Sequence, residues 1–494
     1  MRLLCLLTCL VAQQGSAEVL FEDRSAALPP HTYEGGWEHF VGGGLAVFDC
    51  NGDGLADIFA AGGENPAKLI VNKGAFRFET ADLPALTHVT GAYPLDIDAD
   101  GIKDLFVLRV GANVVLRGHP SCRFERADDL WGVPGDTAWS TAFTAWWEDE
   151  TTKPVLAVGN YVDRSAPDGP FEACDDHRIL FPKTDGYDAM TLAPGFCALS
   201  ILAARDARGK MALRLSNDRH YYVRGGQEQM WDIAERRFLT EADGWETVAL
   251  WGMGIASRDL TGDGLDEVML TSMGDQLMQI AQGDGRYKAA PFEIGTYAQR
   301  PHVGDDGRPS TGWHAEFGDV NNDGLADLFI AKGNVDQMPG MATRDPNNLL
   351  VQTPEGRFEE VSVRAGVASM QRSRGAALVD FDGDGRLDLI VSNRRAPLEL
   401  YRNVSPEVGN WLRIELRQAN ANRDAIGARI TVETGQATQS VQQVVGGGHA
   451  GGQLLPRHFG VGEAQDATII VDWPDGTQTR TSARAGGTHL IEKP

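Results

Sequence analysis

Short apolar segments alternate with polar turns along most of this chain. One representative stretch reads WHAEFGD, DLFIAKG, NNLLVQT and RFEEVSV, with glycine, asparagine, aspartate and proline between the segments. Segments of this length that are rich in β-branched and aromatic residues, and bounded by turn residues, are typical of β-strands. The pattern predicts an all-β protein built from groups of four short strands.

The group of four strands recurs together with an acidic motif, and a recurrence of this kind indicates a repeat architecture. The motif occurs five times, as DCNGDGLAD (49–57), DIDADGIKD (96–104), DLTGDGLDE (259–267), DVNNDGLAD (319–327) and DFDGDGRLD (380–388). A much longer interval separates the second copy from the third. Within it, segments 143–162 and 198–218 keep the apolar pattern without the acids. We therefore expect seven units, two of them without the motif.

Four-stranded sheets repeated around an axis form a β-propeller, in which each sheet is one blade. Four of the motifs have a glycine five positions before their first aspartate, namely Gly44, Gly91, Gly254 and Gly375. Only small residues fit where several strands converge near an axis. We predict a seven-bladed β-propeller over residues 18–405.

The two ends of the repeat region differ from the rest. The seventh unit lacks a fourth strand of its own, and the segment VLFEDRSA (19–26) resembles the fourth-strand segments of other units. We expect it to complete the last blade and so to remove an exposed sheet edge. Beyond about Gly409 the repeat stops and five or six strand-like segments follow. They predict a small, separate β-domain over residues 406–494.

The first residues of the chain predict export. Residues 1–17 combine a single basic residue, Arg2, with an apolar stretch and a small-residue ending. This is the pattern of a secretory signal peptide, here cleaved after Ala17. We expect a secreted or periplasmic protein that does not insert into a membrane.

The cysteine count supports a secreted or periplasmic location, and the net charge limits the classes of partner that the protein can bind. Cys50, Cys122, Cys174 and Cys197 remain after cleavage, and an even number favours disulfides outside the cytosol. Cys174 with Cys197 is the favoured pair, and four buried free thiols are the alternative. The net charge of −24 argues against binding to nucleic acid or anionic lipid and favours cations.

The five acidic motifs, called loops 1 to 5 in chain order, have the spacing of a calcium loop. Positions 1, 3, 5 and 9 carry oxygen donors, position 6 is glycine, and position 7 can offer a backbone carbonyl. Hard oxygen donors without histidine or cysteine select Ca²⁺ over Mg²⁺, which prefers a rigid octahedron with retained waters. The predicted ligands are Asp49, Asn51, Asp53, Leu55 and Asp57; Asp96, Asp98, Asp100, Ile102 and Asp104; Asp259, Thr261, Asp263, Leu265 and Glu267; Asp319, Asn321, Asp323, Leu325 and Asp327; and Asp380, Asp382, Asp384, Arg386 and Asp388.

We expect up to five Ca²⁺ ions, with loop 3 the weakest site because neutral Thr261 stands between its three acids. An EF-hand would need a glutamate at position 12 and flanking helices. Position 12 is apolar in every copy, as Ala60, Val107, Leu270, Ile330 and Val391, and lies in strand-like sequence. A second alternative is that each loop is only a turn rich in aspartate and asparagine, which five copies at similar spacing disfavour.

These loops, with a small-residue strand before them and an apolar strand behind, resemble the FG-GAP (VCBS) repeats of integrin-α-like seven-bladed propellers. The stretches GNWLRIELRQANANRDAIGARITV, VVGGGHAGGQ, RHFGVG and VDWPDGTQ resemble the ASPIC/UnbV domain. Together they are similar to the cartilage acidic protein family and its bacterial members. The resemblance implies a secreted, calcium-loaded propeller with adhesive or matrix roles and no defined enzymatic activity. Units three and four depart from the pattern because they lack acidic loops.

Candidate catalytic groups are scarce in the sequence. It contains no nucleophile elbow or phosphate-binding loop, and its 11 histidines follow no metal-binding spacing. His177, beside Cys174, Asp175 and Asp176, is interpreted as part of a polar surface loop. We expect a non-enzymatic binding or adhesion module whose partner is an unknown extracellular or envelope protein or glycan. The alternatives are a polysaccharide-active enzyme that uses the propeller face and a periplasmic assembly factor.

Overall fold

The computed structural model of this protein describes residues 18–148, 151–166, 173–218, 225–274, 276–297, 311–335, 342, 344–435 and 437–494. The predicted signal peptide, residues 1–17, lies outside the described residues. Strands dominate these ranges. The short helices in them are α1 (Asp128–Trp131), α2 (Ser362–Ala365) and the 3-10 turns Ser25–Ala27, Trp37–His39, Glu241–Asp243 and Phe292–Ile294. None of the described helices is long and apolar enough to cross a bilayer.

The strands up to residue 403 form a series of antiparallel four-stranded sheets. After β1 (Phe21–Asp23) they are β2 (Leu45–Phe48), β3 (Asp57–Ala60), β4 (Lys68–Asn72), β5 (Phe78–Ala81), β6 (Val89–Leu95), β7 (Asp104–Arg109), β8 (Val114–His119), β9 (Arg123–Arg126), β10 (Ser140–Trp146), β11 (Val155–Asn160), β12 (His177–Lys183), β13 (Gly186–Leu192), β14 (Ala198–Arg205), β15 (Met211–Asn217), β16 (Gln229–Asp232), β17 (Arg237–Phe238), β18 (Gly252–Arg258), β19 (Glu267–Ser272), β20 (Leu277–Ala281), β21 (Tyr287–Ala289), β22 (Gly312–Gly318), β23 (Asp327–Lys332), β24 (Asn348–Gln352), β25 (Phe358–Glu360), β26 (Ser373–Val379), β27 (Asp388–Asn393) and β28 (Glu399–Asn403).

Each sheet takes consecutive strands in chain order. Six sheets are β2–β5, β6–β9, β10–β13, β14–β17, β18–β21 and β22–β25, and another joins β26, β27 and β28 to β1. The first strands are buried along their whole length in sheets such as β6–β9 and β10–β13, whereas the fourth strand β9 buries only Phe124. First strands of successive sheets contact one another, and β26 contacts β2. The predicted all-β, propeller-like architecture is confirmed, including the two units without acidic motifs.

The N-terminal strand completes the last of these sheets, as the sequence predicts. Phe21 pairs with Asn403 and Asp23 with Tyr401, so β1 lies antiparallel to β28. The backbone of Arg24 also donates to the carbonyl of Leu400 at 2.7 Å. The start of the described chain therefore covers the edge of β28, which would otherwise be open.

The C-terminal strands form two further sheets around their own core. The strands are β29 (Asn410–Arg417), β30 (Arg429–Glu433), β31 (Thr438–Gln442), β32 (Gln453–Leu454), β33 (Arg457–Gly462), β34 (Asp466–Asp472), β35 (Gln478–Arg484) and β36 (Gly487–Glu492). One sheet has the order β33-β29-β36 and the other β31-β30-β34-β35. Leu412, Ile430, Phe459 and Trp473 are buried together between them.

The C-terminal domain has its own core, but one of its segments extends into the propeller-like body. Residues 445–454 (VGGGHAGGQL), here called the axial segment, leave the domain and run along the first strands of the propeller-like body. The backbone of Gly447 donates to Ile201 and that of Gly448 to Ile255. At its end the segment becomes β32, which pairs in parallel with β2 through Gln453 and Leu454.

His449 lies at the centre of the axial segment and is fully buried. Its ring lies 4.9 Å from the ring of Trp313, and its backbone N–H donates to Nδ1 of His314 at 3.2 Å. Glycines suit this segment because the surrounding strands leave no room for side chains. A β-carbon on Gly451, for example, would come within 2.1 Å of the carbonyl oxygen of Leu45.

Two disulfides join segments that lie between the strands. Cys174 bonds to Cys197, which confirms the favoured pair, and Cys50 bonds to Cys122. The second bond joins loop 1 to the turn between β8 and β9 in the next sheet. The alternative of four free thiols is therefore wrong.

Candidate metal-binding loops

Each acidic loop connects the first strand of its sheet to the second. Position 9 is the first residue of the second strand in all five copies, at Asp57, Asp104, Glu267, Asp327 and Asp388. The apolar residues at position 12 are buried within the same strands. The loops are therefore flanked by strands rather than helices, which excludes the EF-hand alternative.

Backbone N–H groups of each loop donate hydrogen bonds to the carboxylates of the predicted ligands at positions 1 and 5. The glycine N–H at position 6 donates to the carboxylate at position 1, at 2.8 Å in loop 1 and 3.0 Å in loop 3. The same bond occurs in loops 2, 4 and 5. The position-7 residues Leu55, Ile102, Leu265, Leu325 and Arg386 donate their N–H to Oδ1 of position 5. These contacts place positions 1, 5 and 7 of every copy around one turn.

The position-9 acid anchors the loop to the sheet. One of its oxygens accepts the N–H of position 2 in every copy, as Asp388 does from Phe381 at 2.9 Å. In loops 1, 2, 4 and 5 its other oxygen accepts an N–H from the third strand, as Asp388 does from Asn403 at 2.8 Å. Each carboxylate oxygen has two lone pairs, so these bonds leave capacity for a cation.

Several carboxylate oxygens in the loops are buried without a hydrogen-bond donor. They are Oδ1 of Asp96 and of Asp98 in loop 2, Oε1 of Glu267 in loop 3 and Oδ1 of Asp382 in loop 5. Asp96, Asp98 and Asp104 bring ligand oxygens within 4.8 Å of one another, and so do Asp380, Asp382 and Asp388. A buried acceptor without a donor costs free energy, and neighbouring carboxylates repel. A divalent cation among these oxygens would remove both penalties.

Burial and mutual repulsion also change the proton affinity of these groups. Burial, together with the nearby Asp98 and Asp96 carboxylates, raises the pKa of Asp104 to about 8. Burial likewise raises the pKa of Asp57 to about 7 and that of Glu267 to about 7. The pKa values of Asp319 and Asp327 in loop 4 are raised by burial and by the neighbouring acids. The loops therefore favour a positive partner, either a proton or a metal ion.

The donor set fits calcium. Turns rich in aspartate and asparagine are present, since the backbone of Gly52 donates to Asp49 and that of Gly262 to Asp259. These internal bonds leave the donor-free oxygens unexplained, so a turn alone is an incomplete account of loops 2, 3 and 5. Carboxylate and amide oxygens in a loop with a tight glycine turn are the ligands that Ca²⁺ takes.

The C-terminal domain rests on four of the five loops. Lys103 of loop 2 forms an ion pair with Asp424 at 2.5 Å, and Asp259 of loop 3 accepts a bond from Ser440 at 2.8 Å. In loop 4 the ring of His458 lies 2.7 Å from the side-chain oxygen of Asn322. In loop 5 Arg413 approaches Asp380 to 3.5 Å. The conformation of these loops therefore affects the position of the C-terminal domain on the propeller-like body.

Two arginines that were not predicted from the sequence contact the loops. Arg117 on β8 contacts Asp98 and Asp100, at 2.8 and 3.3 Å. Arg402 on β28 contacts Asp382 and Asp384, at 2.7 and 3.4 Å. Arg117 directly follows Leu116, which pairs with position 10 of loop 2. Arg402 directly follows Tyr401, which pairs with position 10 of loop 5. That register is the signal that would have identified them.

Other sequence-based interpretations are corrected or refined. His177 is fully buried at the start of β12 and accepts the backbone N–H of Asn160 through Nδ1 at 3.2 Å. It is therefore a core residue rather than part of a surface loop. Its burial lowers its pKa to about 4, so it is neutral at physiological pH.

A cavity of about 850 Å³ lies between the side of the propeller-like body that carries the acidic loops and the C-terminal domain. Glu316 lies on its wall, where one carboxylate oxygen accepts from Gln453 and the other from the backbone of Leu378. Arg457, also on the wall, donates to the side chain of Gln443 at 2.6 Å. These polar groups pair with the protein itself and do not form an opposed pair of carboxylates.

Comparison with known families agrees with the geometry. Residues 49–144, 259–330 and 319–391 match the FG-GAP-like repeat, and residues 418–494 match ASPIC and UnbV. Cartilage acidic protein 1 from Homo sapiens is 27% identical over 172 residues, covering 34% of this chain and 26% of that protein. The Xenopus tropicalis protein of the same name is 33% identical over 109 residues, covering 21% of this chain and 17% of that protein. Each match therefore spans about a quarter or less of the relative.

Among solved structures, BBS1N in complex with ARL6DN aligns with a TM-score of 0.46 at 12% identity, covering 79% of this chain and 99% of that one. The repeat matches include all five acidic loops, and the C-terminal match includes the axial segment. The predicted resemblance is thereby confirmed: this is a chain of FG-GAP-like repeats followed by an ASPIC and UnbV domain, and its homologues include cartilage acidic protein 1.

Proposed function

We propose that this chain is a secreted or periplasmic calcium-binding protein that acts as a non-enzymatic binding or adhesion module. In this proposal its repeats form a closed seven-bladed propeller, and up to five Ca²⁺ ions occupy loops 1 to 5. The predicted side chains at positions 1, 3, 5 and 9 and the carbonyl at position 7 hold each ion. The ions supply charge neutralisation rather than chemistry.

One observation carries the proposal: loops that share a single hydrogen-bond pattern retain buried carboxylate oxygens without donors. The pattern places an anchored acid at position 9 and a glycine turn at position 6 in every copy. In loops 2, 3 and 5 it leaves oxygens of Asp96, Asp98, Glu267 and Asp382 without a donor. Buried acceptors of this kind normally have a partner, and a divalent cation is the partner that suits several at once.

The role we assign to the ions is to fix the platform on which the C-terminal domain rests. Loops 2 to 5 contact that domain through Lys103, Asp259, Asn322 and Asp380. Without neutralisation, the acids within each loop would repel and shift these contacts. Calcium would thus stabilise both the loops and the seating of the domain.

The disulfides support an extracellular or periplasmic location. Cys50–Cys122 and Cys174–Cys197 persist where the environment is oxidising and are rare in the cytosol. Calcium is also abundant outside the cell, where modules with modest affinity are loaded without a dedicated supply. The two features are therefore consistent with the same compartment.

A binding role is favoured over catalysis in the propeller channel because the axial segment lies there. Through its backbone bonds to Ile201 and Ile255 and its pairing with β2, the segment occupies part of the space between the first strands, beside the cavity described above. The opposite end of the propeller then remains as the candidate partner surface.

Calcium titration tests the proposal directly. Protein stripped with EGTA is exchanged into metal-free buffer, and bound ions are counted by native mass spectrometry as calcium is added. We expect up to five ions per chain and a higher melting temperature in calcium than in magnesium. Absence of bound calcium, together with a melting temperature that calcium leaves unchanged, would refute the proposal. Screening glycans and polysaccharides for turnover by the loaded protein tests the enzymatic alternative.

A further inference from the structure

Position 5 of the loops is held in two different ways. In loops 1 and 4 position 3 is an asparagine, and its side-chain amide bridges to position 5. Asn51 donates to Oδ2 of Asp53 at 2.9 Å, and Asn321 donates to Oδ2 of Asp323 at the same distance. The amide therefore ties the two neighbouring ligand side chains together without any residue from outside the loop.

In loops 2 and 5 position 3 is an aspartate, which has no hydrogen to donate and adds a negative charge. An arginine from the third strand makes the bridge instead. Arg117 contacts Oδ2 of Asp98 and Oδ2 of Asp100. Arg402 contacts Oδ2 of Asp382 and Oδ2 of Asp384. Each guanidinium thus takes the place that the asparagine amide holds in loops 1 and 4.

The arginines leave the other oxygen of position 3 available. Oδ1 of Asp98 and Oδ1 of Asp382 are buried and accept no hydrogen bond. Both belong to groups of three acids whose oxygens lie within 4.8 Å of one another. The contacts therefore orient each aspartate, with one oxygen held by arginine and the other among the remaining ligands.

In all five sheets, the residue type at position 3 correlates with the residue type that the third strand places beside position 9. The residue beside position 9 follows from the strand register, which pairs position 10 with Ile70, Leu116, Gln279, Leu350 and Tyr401. The neighbouring residues are Val71, Arg117, Ile280, Val351 and Arg402. Asparagine or threonine at position 3 occurs with valine or isoleucine, and aspartate occurs with arginine.

Charge explains this pairing. Loops 1, 3 and 4 each have three acids among positions 1, 3, 5 and 9, whereas loops 2 and 5 each have four. One bridging arginine restores the balance of three net negative charges. Loop 5 has further cations nearby, because Arg386 contacts Asp384 at 2.9 Å and Arg413 approaches Asp380. The further cation of loop 2, Lys103, pairs instead with Asp424 of the C-terminal domain, so loop 2 is the cleaner place to test the pairing.

We propose that Arg117 and Arg402 are positioning residues for calcium, each holding the outer oxygens of positions 3 and 5 so that an aspartate at position 3 can serve as a ligand. This inference rests on the proposed calcium binding. The arginine supports the ion rather than competing with it, because it contacts Oδ2 and leaves Oδ1 of position 3 free. Partners that orient metal ligands in this way commonly change affinity by about 10- to 100-fold when removed.

A double-substitution cycle in loop 2 tests this assignment. Arg117→Val introduces the residue found in the sheets of loops 1 and 4, and leaves four acids without their counter-charge. Asp98→Asn then converts position 3 to the matching asparagine and returns the loop to three acids. Arg126→Val, which removes an exposed arginine paired with Asp128 in the same sheet, is the control.

Native mass spectrometry across a calcium titration counts the ions and identifies the step that shifts. We expect Arg117→Val to weaken one binding step per chain by at least about tenfold. The double variant Asp98→Asn/Arg117→Val should recover that step to within about threefold of the wild type, and the control should leave every step unchanged. Circular dichroism of each metal-free variant establishes that it is folded.

The possible outcomes separate this inference from the calcium proposal. A wild-type chain that binds no calcium rejects the proposed function itself. A wild-type chain that binds calcium, together with an Arg117→Val variant of equal or higher affinity, rejects only the role of the arginine. A double variant no better than Arg117→Val would also reject it, because general damage to the sheet would then explain the loss.

Discussion

Gly91 in β6 lies directly against Ala450 of the axial segment. A β-carbon on Gly91 would come within 1.6 Å of the carbonyl oxygen of Ala450, and one on Gly44 would come within 1.9 Å of the same atom. The strand β6 and the residue directly before β2 therefore touch a single peptide group from the C-terminal domain. Gly44 and Gly91 are therefore required by this insertion as well as by the convergence of strands.

Substituting Gly91 by alanine should release the axial segment. The added methyl group cannot be accommodated without moving the backbone of Ala450, so we expect a loss of about 3 kcal/mol in the free energy of unfolding. Limited proteolysis should also cut the segment around residues 445–454 faster than in the wild type. Gly135→Ala is the matched control, since a β-carbon there meets no atom within 4 Å. Equal stability of the two variants would contradict the insertion.

This insertion marks the limit of what the sequence alone predicts. The loops, the strand groups and the closing strand β1 follow from local patterns, namely fixed acid spacing, alternating apolar segments and a missing fourth strand. The axial segment has no such pattern, because VGGGHAGGQL lacks hydrophobic periodicity. Its partners are backbone groups of strands hundreds of residues earlier, such as Ile201 and Ile255. Their identity cannot be inferred from the segment itself.

The bridging arginines illustrate a second limit. Arg117 and Arg402 are ordinary charged residues in apolar strands until the register between second and third strands is known. Once it is known, both lie beside position 9 of a loop with an aspartate at position 3. The position of His177 differs from its sequence-based interpretation for a related reason. The neighbouring acids Asp175 and Asp176 indicated a surface loop, whereas the strand β12 begins at His177 and buries it.

Removing the acid at position 9 should destabilise the protein even without calcium. Asp388 accepts the backbone N–H of Phe381 and that of Asn403, at 2.9 and 2.8 Å. Asp388→Ala leaves two buried donors unpaired, each costing about 1–3 kcal/mol. We expect the metal-free variant to unfold at a clearly lower urea concentration than the metal-free wild type.

Glu359→Gln serves as the control for this change, because its side chain is more than half exposed and pairs only with an exposed arginine in the described structure. It should shift the urea midpoint by an amount close to experimental error. A metal-free Asp388→Ala variant as stable as this control would show that position 9 matters only for the ion.

The metal-free protein should lose stability as the pH rises. The folded-state pKa of Asp104 is raised to about 8 and that of Glu267 to about 7, mainly by burial. In the unfolded chain such groups ionise near pH 4. The folded state therefore holds protons that the unfolded state releases, and stability that is present below about pH 4 is lost as the pH rises toward about 8.

Calcium should reverse this trend, because the ion binds the deprotonated carboxylates and stabilises only the folded state. Melting temperatures of stripped protein, measured between about pH 5 and pH 8 with and without added calcium, test both halves. Stripped protein should melt lower at the higher pH, and calcium should raise its melting temperature most there. A stripped protein that gains stability with pH would contradict the assigned burial of these acids.

The N-terminal strand should be required for stability although it is only three residues long. Phe21 is 9% exposed and packs with Val351, Leu389 and Tyr401, in the core shared by the last two sheets before the C-terminal domain. Phe21→Ala removes a buried ring and should cost about 3 kcal/mol. It should also favour association through the uncovered edge of β28, since unpaired strand edges bind other chains. Glu22→Ala, on the exposed side of the same strand, should change neither property. Light scattering and urea unfolding of the two variants distinguish a strand that closes the sheet from one that merely lies beside it.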